Sequence, residues 1–201
     1  MNKKLSPKNA DTRQRILDVG HLIMAAKGFS AVGLNEILKE ASVPKGSFYN
    51  YFSSKDAFGA ALLDNYFEDY LAEMDALFSN TALSPQQRLM EYFQRWQENQ
   101  SFDDCQGKCL AVKLGAEVAD LSEVMRAALK RGTTGITDRL SQVINEGMRD
   151  GSLKVTANAI ELAQSLYPLW LGASIMVKIM RNQQPFAMAM QTTKFLLNQP
   201  D

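Results

Sequence analysis

A chain of 201 residues with 46% apolar content can bury a sizeable core and suits one domain or two small ones. No apolar run nears the ~20 residues that cross a bilayer, and the opening MNKKLSPKNADTRQ lacks the apolar stretch of a secretory signal, which argues against a membrane partner and for a cytoplasmic location. The formal net charge is zero, yet residues 1–55 hold nine Lys/Arg against four Asp/Glu and the rest of the chain thirteen against eighteen; a basic first quarter on an acidic body suits a segment that meets a polyanion and a second part with another task.

Nearly every segment has helical periodicity and no internal repeat recurs, so the expected fold is all-α with about nine helices. From Asp11 to Lys27, residues Ile16, Leu17, Gly20, Ile23 and Met24 share one helical face, and Gly28 is placed to end it. A second short helix over about 34–41 turns Leu34, Ile37, Leu38 and Ala41 inward and stops ahead of Pro44, whose ring disfavours helix at Val43. A third runs from Lys45 to Phe52, and Ser53-Ser54 supply a cap for a fourth that starts at Lys55 or Asp56. Helix, the short turn SVP, helix, with the first helix packed across both, is the spacing of a helix-turn-helix unit, whose second helix is presented to the major groove of DNA. That unit would occupy residues 1–54 and a second helical domain residues 55–201.

In the second domain a helix spans Ala57–Phe78, the loop SNTALSP follows, and another helix runs from Pro85 to about Gln100. The stretch SFDDCQGK is expected as a loop before a helix over about Cys109–Ala119, and Asp120 as the cap of a long helix stopped by Gly151. Two last helices, about 156–181 and 185–198, are the most apolar. Small residues beside large ones, Gly172 and Ala173 against Trp170 and Leu171, let two helices approach closely, so this pair is the best candidate for a subunit interface.

The third helix carries the most informative pattern. Phe48 and Phe52, four apart, face inward, leaving Lys45, Ser47, Tyr49, Asn50 and Tyr51 outward or sideways. Such a row suits DNA: Lys45 offers a cation, Ser47 and the tyrosine hydroxyls can donate to phosphate oxygens, and Asn50 can pair with a base edge, adenine being the usual partner. Lys55 at the start of the fourth helix adds a charge and free backbone N–H groups. TRQRIL, KGF and EILKEASVPKGSFYNYFSSKDAF, at fixed offsets over about residues 11–60, resemble the DNA-binding domain of the TetR family of bacterial transcription repressors. The resemblance implies a homodimer that binds a palindromic operator in double-stranded DNA, with a helical ligand-sensing body. It implies Lys45, Ser47, Tyr49, Asn50, Tyr51 and Lys55 as the contacting set, with Thr12 and Arg13 at the start of the first helix as further members. Where many members open the second helix with threonines, this chain has Val32-Gly33-Leu34-Asn35, which leaves Asn35 as the substitute at that end.

A second resemblance, in KCLAVKLGAEVADLSEVM and LYPLWLGASIMVKIMR, is to the branch of that family that represses reductases of electrophiles such as N-ethylmaleimide, quinones and reactive aldehydes, where a cysteine in the body is the sensor; Cys109 is the residue that matches. Independently, Cys109 opens an expected helix, flanked by Lys108 and one turn from Lys113, the surroundings in which thiols react; a small buried hydrophobe is the competing reading. Lys178, the one charge between Leu162 and Met180, needs a partner or a route to solvent, and a position beside Cys109 would give it a task. Trp96, Phe102, Tyr167 and Trp170 could line an adjacent pocket, or simply form core, and Pro168 would bend their helix.

Two cysteines and the single His21 make no tetrahedral metal site. No nucleophile–base pairing or phosphate loop stands out, so neither an enzyme nor a cofactor is expected. Three readings compete with an electrophile- or oxidant-released repressor: the same fold released by a non-covalent hydrophobic ligand, as in regulators of multidrug pumps, an enzyme, and a partner-binding bundle with no DNA role.

Overall fold

The computed structural model describes the backbone of residues 7–105 and 109–197, and side chains of 11–99 and 109–197. Among these residues there are nine helices and no strand: α1 Pro7–Lys27, α2 Leu34–Glu40, α3 Lys45–Phe48, α4 Lys55–Phe78, α5 Pro85–Cys105, α6 Leu110–Leu121, α7 Glu123–Asp150, α8 Ala159–Met180 and α9 Gln184–Leu196. They divide into two compact units. One holds the chain up to Phe67 together with Lys113–Arg131, and the other holds Glu68–Val112 with the chain from Gly132 onward. The first unit thus reaches past residue 54 and recruits a distant stretch of sequence.

The first unit is built on one apolar face per helix. Ile16, Leu17 and Met24 of α1 and Ile37 and Leu38 of α2 are buried. Gly28, at φ +89°, ends α1 in the left-handed region where glycine has no Cβ penalty, and its N–H donates to Met24 O at 2.9 Å. Gly20 has a different reason to lack a side chain: a Cβ there would meet Phe58 at 2.4 Å, so the Phe58 ring of α4 packs directly on the α1 backbone at this residue. At the end of α2, Ser42 takes φ +54°, and Val43 N–H donates to Leu38 O at 2.9 Å while Ser42 N–H donates to Lys39 O at 3.1 Å. This Schellman pattern, with Val43 and Leu38 both buried, turns the chain into α3 and ends α2 ahead of Pro44.

Four boundaries differ from the sequence expectation. α1 begins at Pro7, where proline's missing N–H costs nothing. α3 is a single turn, although Phe52 N–H still donates to Phe48 O at 3.0 Å. α5 runs to Cys105 and converts most of the expected loop into helix, because no glycine or proline interrupts the chain between Pro85 and Gly107. Asp120 lies inside α6 and caps nothing. Only Ser122 separates α6 from α7, and hydrogen bonds from Ser122 N–H to Val118 O and from Arg126 N–H to Ser122 O carry the ladder almost unbroken.

In the second unit, Trp170 of α8 is fully buried, stacked on Phe93 of α5 at 4.9 Å between ring centroids and on Phe186 of α9 at 5.7 Å. Asn158 caps α8 by accepting from Ile160 N–H at 2.8 Å, and α8 continues through Pro168. No helix is long and apolar enough to cross a membrane among the described residues.

Candidate nucleic-acid interface and sensing site

The polar row on α3 is positioned by the aromatic residues beneath it. Phe48, Phe52 and Phe58 form a triad with ring centroids 5.1–5.8 Å apart, and all three are buried. With Phe48 locked inward, the helical turn puts Lys45, Tyr49 and Asn50 on the exposed side, Tyr49 being 59% exposed, and leaves Ser47 and Tyr51 half-buried at the flanks. Tyr49 stays upright through an edge contact with Phe48 at 5.4 Å. Asn35 is also exposed, next to Gly33, which caps α2 without a side chain.

Two of the expected residues are occupied within the protein. The Lys55 ammonium donates to Phe29 O at 2.8 Å and lies 4.4 Å from the centre of the Phe29 ring. The Arg13 guanidinium lies 5.3 Å from the centre of the Phe52 ring, and Thr12 beside it is half-buried. Both cations brace the unit as well as charging its surface.

Sequence reasoning missed Glu117 of α6. Its carboxylate accepts from Phe29 N–H at 3.1 Å and Ser30 N–H at 2.7 Å, satisfying two backbone donors of the α1–α2 loop that have no helical partner. Hydrogen bonding from the Ser30 side chain, then from these amides, with Lys55 nearby, holds the Glu117 carboxyl below its ordinary value of 4.5. A carboxyl depressed in the folded state contributes stability that is complete above the unfolded value and is lost as pH falls through the folded one. Glu117→Gln is therefore expected to melt below the unsubstituted protein at pH 7, with the gap closing as pH drops under about 4. Denaturant titrations across that range measure it, and a pH-independent gap would refute the carboxylate's role.

In the second unit, Cys109 stands immediately before α6, half-buried, with Lys113 exposed one turn on. The charge of a Cys109 thiolate would bear on three tyrosines, Tyr70 of α4, Tyr92 of α5 and Tyr167 of α8. The hydroxyls of Tyr70 and Tyr92 hydrogen-bond at 2.9 Å. Burial pushes all three phenols up, so they stay protonated. Tyr167 is one of the residues expected beside this site; Tyr70 and Tyr92 were missed because nothing local marks an aromatic on an amphipathic helix as other than core.

Of the residues expected to line a pocket, Trp96, Tyr167 and Trp170 are buried against one another instead. Trp96 meets Tyr167 edge-on at 5.7 Å and Trp170 at 6.1 Å. The two indole nitrogens are satisfied internally: Trp96 Nε1–H donates to Ser174 Oγ and Trp170 Nε1–H to Thr193 Oγ1, each at 2.9 Å. Cavities of about 550 Å³ beside Thr81–Arg88 and about 450 Å³ beside Met90 and Met190 are lined by other residues. Phe102, Cys105 and Lys108 fall outside the described side chains. Lys178 is half-buried near the end of α8. His21 packs edge-on against Tyr66 at 5.7 Å, and no group of three potential metal ligands occurs among the described residues.

Residues 16–62 match the family model "Bacterial regulatory proteins, tetR family", and residues 85–193 match "Tetracyclin repressor-like, C-terminal domain". The chain belongs to the TetR family. Its relatives include the HTH-type transcriptional repressor NemR of Escherichia coli (strain K12), 38% identical over 94% of this chain and 96% of that protein. Another is the HTH-type transcriptional repressor DhaR of Mycobacterium sp. (strain GP1), 34% identical over 86% and 85%. The crystal structure of the reduced form of E. coli NemR superposes with a TM-score of 0.89 at 39% identity, covering 94% of this chain and 98% of that one. Membership in the TetR family accounts for the helix-turn-helix of α2 and α3 and for a C-terminal helical body.

Proposed function

We propose that this TetR-family protein is a homodimeric transcriptional repressor that holds a palindromic operator with the polar side of Lys45–Tyr51 and lets go when Cys109 is modified by an electrophile or oxidant. The observation that carries the DNA-binding part is the division of α3 and the turn that follows it, with Phe48 sealed in the core and Lys45, Tyr49 and Asn50 open to solvent. An exposed row of cation, hydroxyl and amide on the second helix of a helix-turn-helix matches what phosphates and base edges accept. Ser47 and Tyr51 flank the row as phosphate donors, and Thr12, Arg13 and Lys55 contribute charge and amides from the adjoining helix starts.

Dimerisation is supported by the outer side of α8 and α9, where Ile175, Met176, Ile179, Met188 and Phe195 are exposed, Phe195 to 80%. An apolar surface of this kind marks a contact with another chain. Phe195→Asp is expected to turn the dimer into monomer in sedimentation and to abolish operator binding, which needs two half-sites one or more duplex turns apart. A dimer that persists in that variant assigns the interface elsewhere.

In the sensing half, modification of Cys109 changes packing at the start of α6, and Lys178 acts as its partner from α8. Helices α4 and α6, which carry residues of both units, pass the change to the reading head. Emptying a nearly full operator takes a bias of several kcal/mol, within reach of a covalent bond. Operator release is measured by fluorescence anisotropy with thiol-reactive compounds. The unsubstituted protein is expected to dissociate and Cys109→Ser to remain bound; release of Cys109→Ser would favour a non-covalent inducer.

A further inference from the structure

The backbone of Phe29 is held from two helices at once. Its N–H donates to Glu117 Oε2 of α6 at 3.1 Å, and its carbonyl accepts from the Lys55 ammonium of α4 at 2.8 Å. Ser30 N–H donates to the other oxygen of the same carboxylate at 2.7 Å, so one side chain of α6 takes two consecutive amides of the loop between α1 and α2. Gly28 leaves no slack ahead of them, since a Cβ there would meet Glu117 Oε2 at 3.1 Å. All of these residues belong to the first unit. A backbone amide cannot swing aside as a side chain can, and Phe29 is buried, so displacing the carboxylate would strand a donor largely shielded from water. The loop therefore follows Glu117, and it leads straight into α2 and, through the turn at Ser42, into α3.

We propose that Glu117 is a positioning residue for operator binding: through the Phe29 and Ser30 amides it ties the order of the reading head to the order of α6, so that the two rise and fall together. The proposal rests on the operator being held by α3, and it is independent of what releases the operator. Duplex that fixes Lys45, Tyr49 and Asn50 fixes α3, α2 and the loop ahead of them. The amides of that loop then hold the Glu117 carboxylate more firmly, and local opening of α6 becomes rarer in the complex than in the free protein. By linkage, any event that disorders or displaces α6 lowers operator affinity by the same factor. Lys55 closes the arrangement from the other side, because the cation that holds the Phe29 carbonyl is itself the first residue of α4.

The test is amide hydrogen exchange of the full chain, read by mass spectrometry with and without operator duplex, in the parent, Glu117→Ala and Lys27→Ala. Exchange over residues 113–121 is expected to slow at least about 5-fold on operator binding in the parent and less than about 2-fold in Glu117→Ala, while exchange over residues 44–51 slows in all three. Lys27→Ala removes an ion pair between α1 and α2, 2.5 Å from Glu36, and is expected to keep the slowing of the parent. A Glu117 that merely stabilised the fold would raise exchange in free and bound protein alike and leave their ratio where it was, which overturns the proposal. No slowing over 113–121 in the parent overturns it too, as does an equal loss of the effect in Lys27→Ala, which reports general loosening of the head. Should Glu117→Ala fail to fold, Glu117→Gln takes its place, with one carbonyl oxygen for two donors. A slowing smaller than that of the parent is expected of it, and the full slowing overturns the assignment. A failure of the operator reading itself shows separately, as unchanged exchange over 44–51 and unchanged anisotropy of the duplex with the parent, and it removes the proposal with it.

Discussion

Asn50→Ala is expected to weaken operator binding by about 1–3 kcal/mol in each copy, the usual worth of a side chain reading a base edge, so that a homodimer loses about 2–6 kcal/mol in all. The loss should be confined to the operator: binding to unrelated duplex changes little, and preference at one base pair in each half-site relaxes. Lys45→Ala is expected to behave oppositely, lowering affinity for every duplex alike and reducing the slope of log affinity against log salt by about one per copy. Lys45 opens α3 and Asn50 lies in the turn that follows it, both exposed while Phe48 between them is buried, so neither substitution should disturb folding, which thermal melts of the variants verify. An equal loss for Asn50→Ala on operator and scrambled DNA would make Asn50 a backbone contact, and no loss on either would remove it from the interface.

The second large effect lies in the core of the body. Trp170→Ala is expected to destabilise the protein by about 3–5 kcal/mol, which for a chain of this size lowers the melting temperature by roughly 10 °C. The indole is fully buried between Phe93 and Phe186, and its Nε1–H donates to Thr193 Oγ1. Removing it empties the space where α5, α8 and α9 meet and leaves the Thr193 hydroxyl with only its donation to Ala189 O, 2.7 Å away. Trp170→Phe keeps most of the stacking and gives up the hydrogen bond, so its expected cost is nearer 1 kcal/mol beyond the lost volume. Thermal or denaturant melts of the two variants separate packing from polar anchoring. A small effect of Trp170→Ala would show that the three helices close over the gap.

The sequence carried the reading head more fully than the body because local rules govern it. Gly28, Pro44 and the serine before α4 act within a few residues of themselves, and Ser54 Oγ indeed accepts from Ala57 N–H at 3.0 Å. The inward positions of Phe48 and Phe52 follow from spacing alone. What stayed hidden depends on partners far along the chain. Glu117 reads as an ordinary polar position in AEVADL, and the Phe29 and Ser30 amides that donate to it lie 88 and 87 residues away. Lys55 reads as a free surface cation until Phe29 folds beneath it. Ser174 and Thr193 sit on apolar faces where only the two indoles explain a hydroxyl. Tyr70 and Tyr92, whose hydroxyls meet at 2.9 Å, come from α4 and α5, a convergence no periodicity announces.

Glu117 and its neighbours also decide what can be transplanted. Arg131 pairs with Asp64 at 2.8 Å, and Met125 fills the space beside Gly59, where a Cβ would meet its sulfur at 2.4 Å. All three partners arrive from beyond residue 112, so a fragment cut after α4 would lose the carboxylate under the Phe29 and Ser30 amides, a charge pair and a buried methionine at once. Chimeras that exchange operator preference between relatives must therefore graft two separate stretches of gene, the second encoding the junction of α6 and α7, and a swap of the amino-terminal portion alone would yield a poorly ordered hybrid.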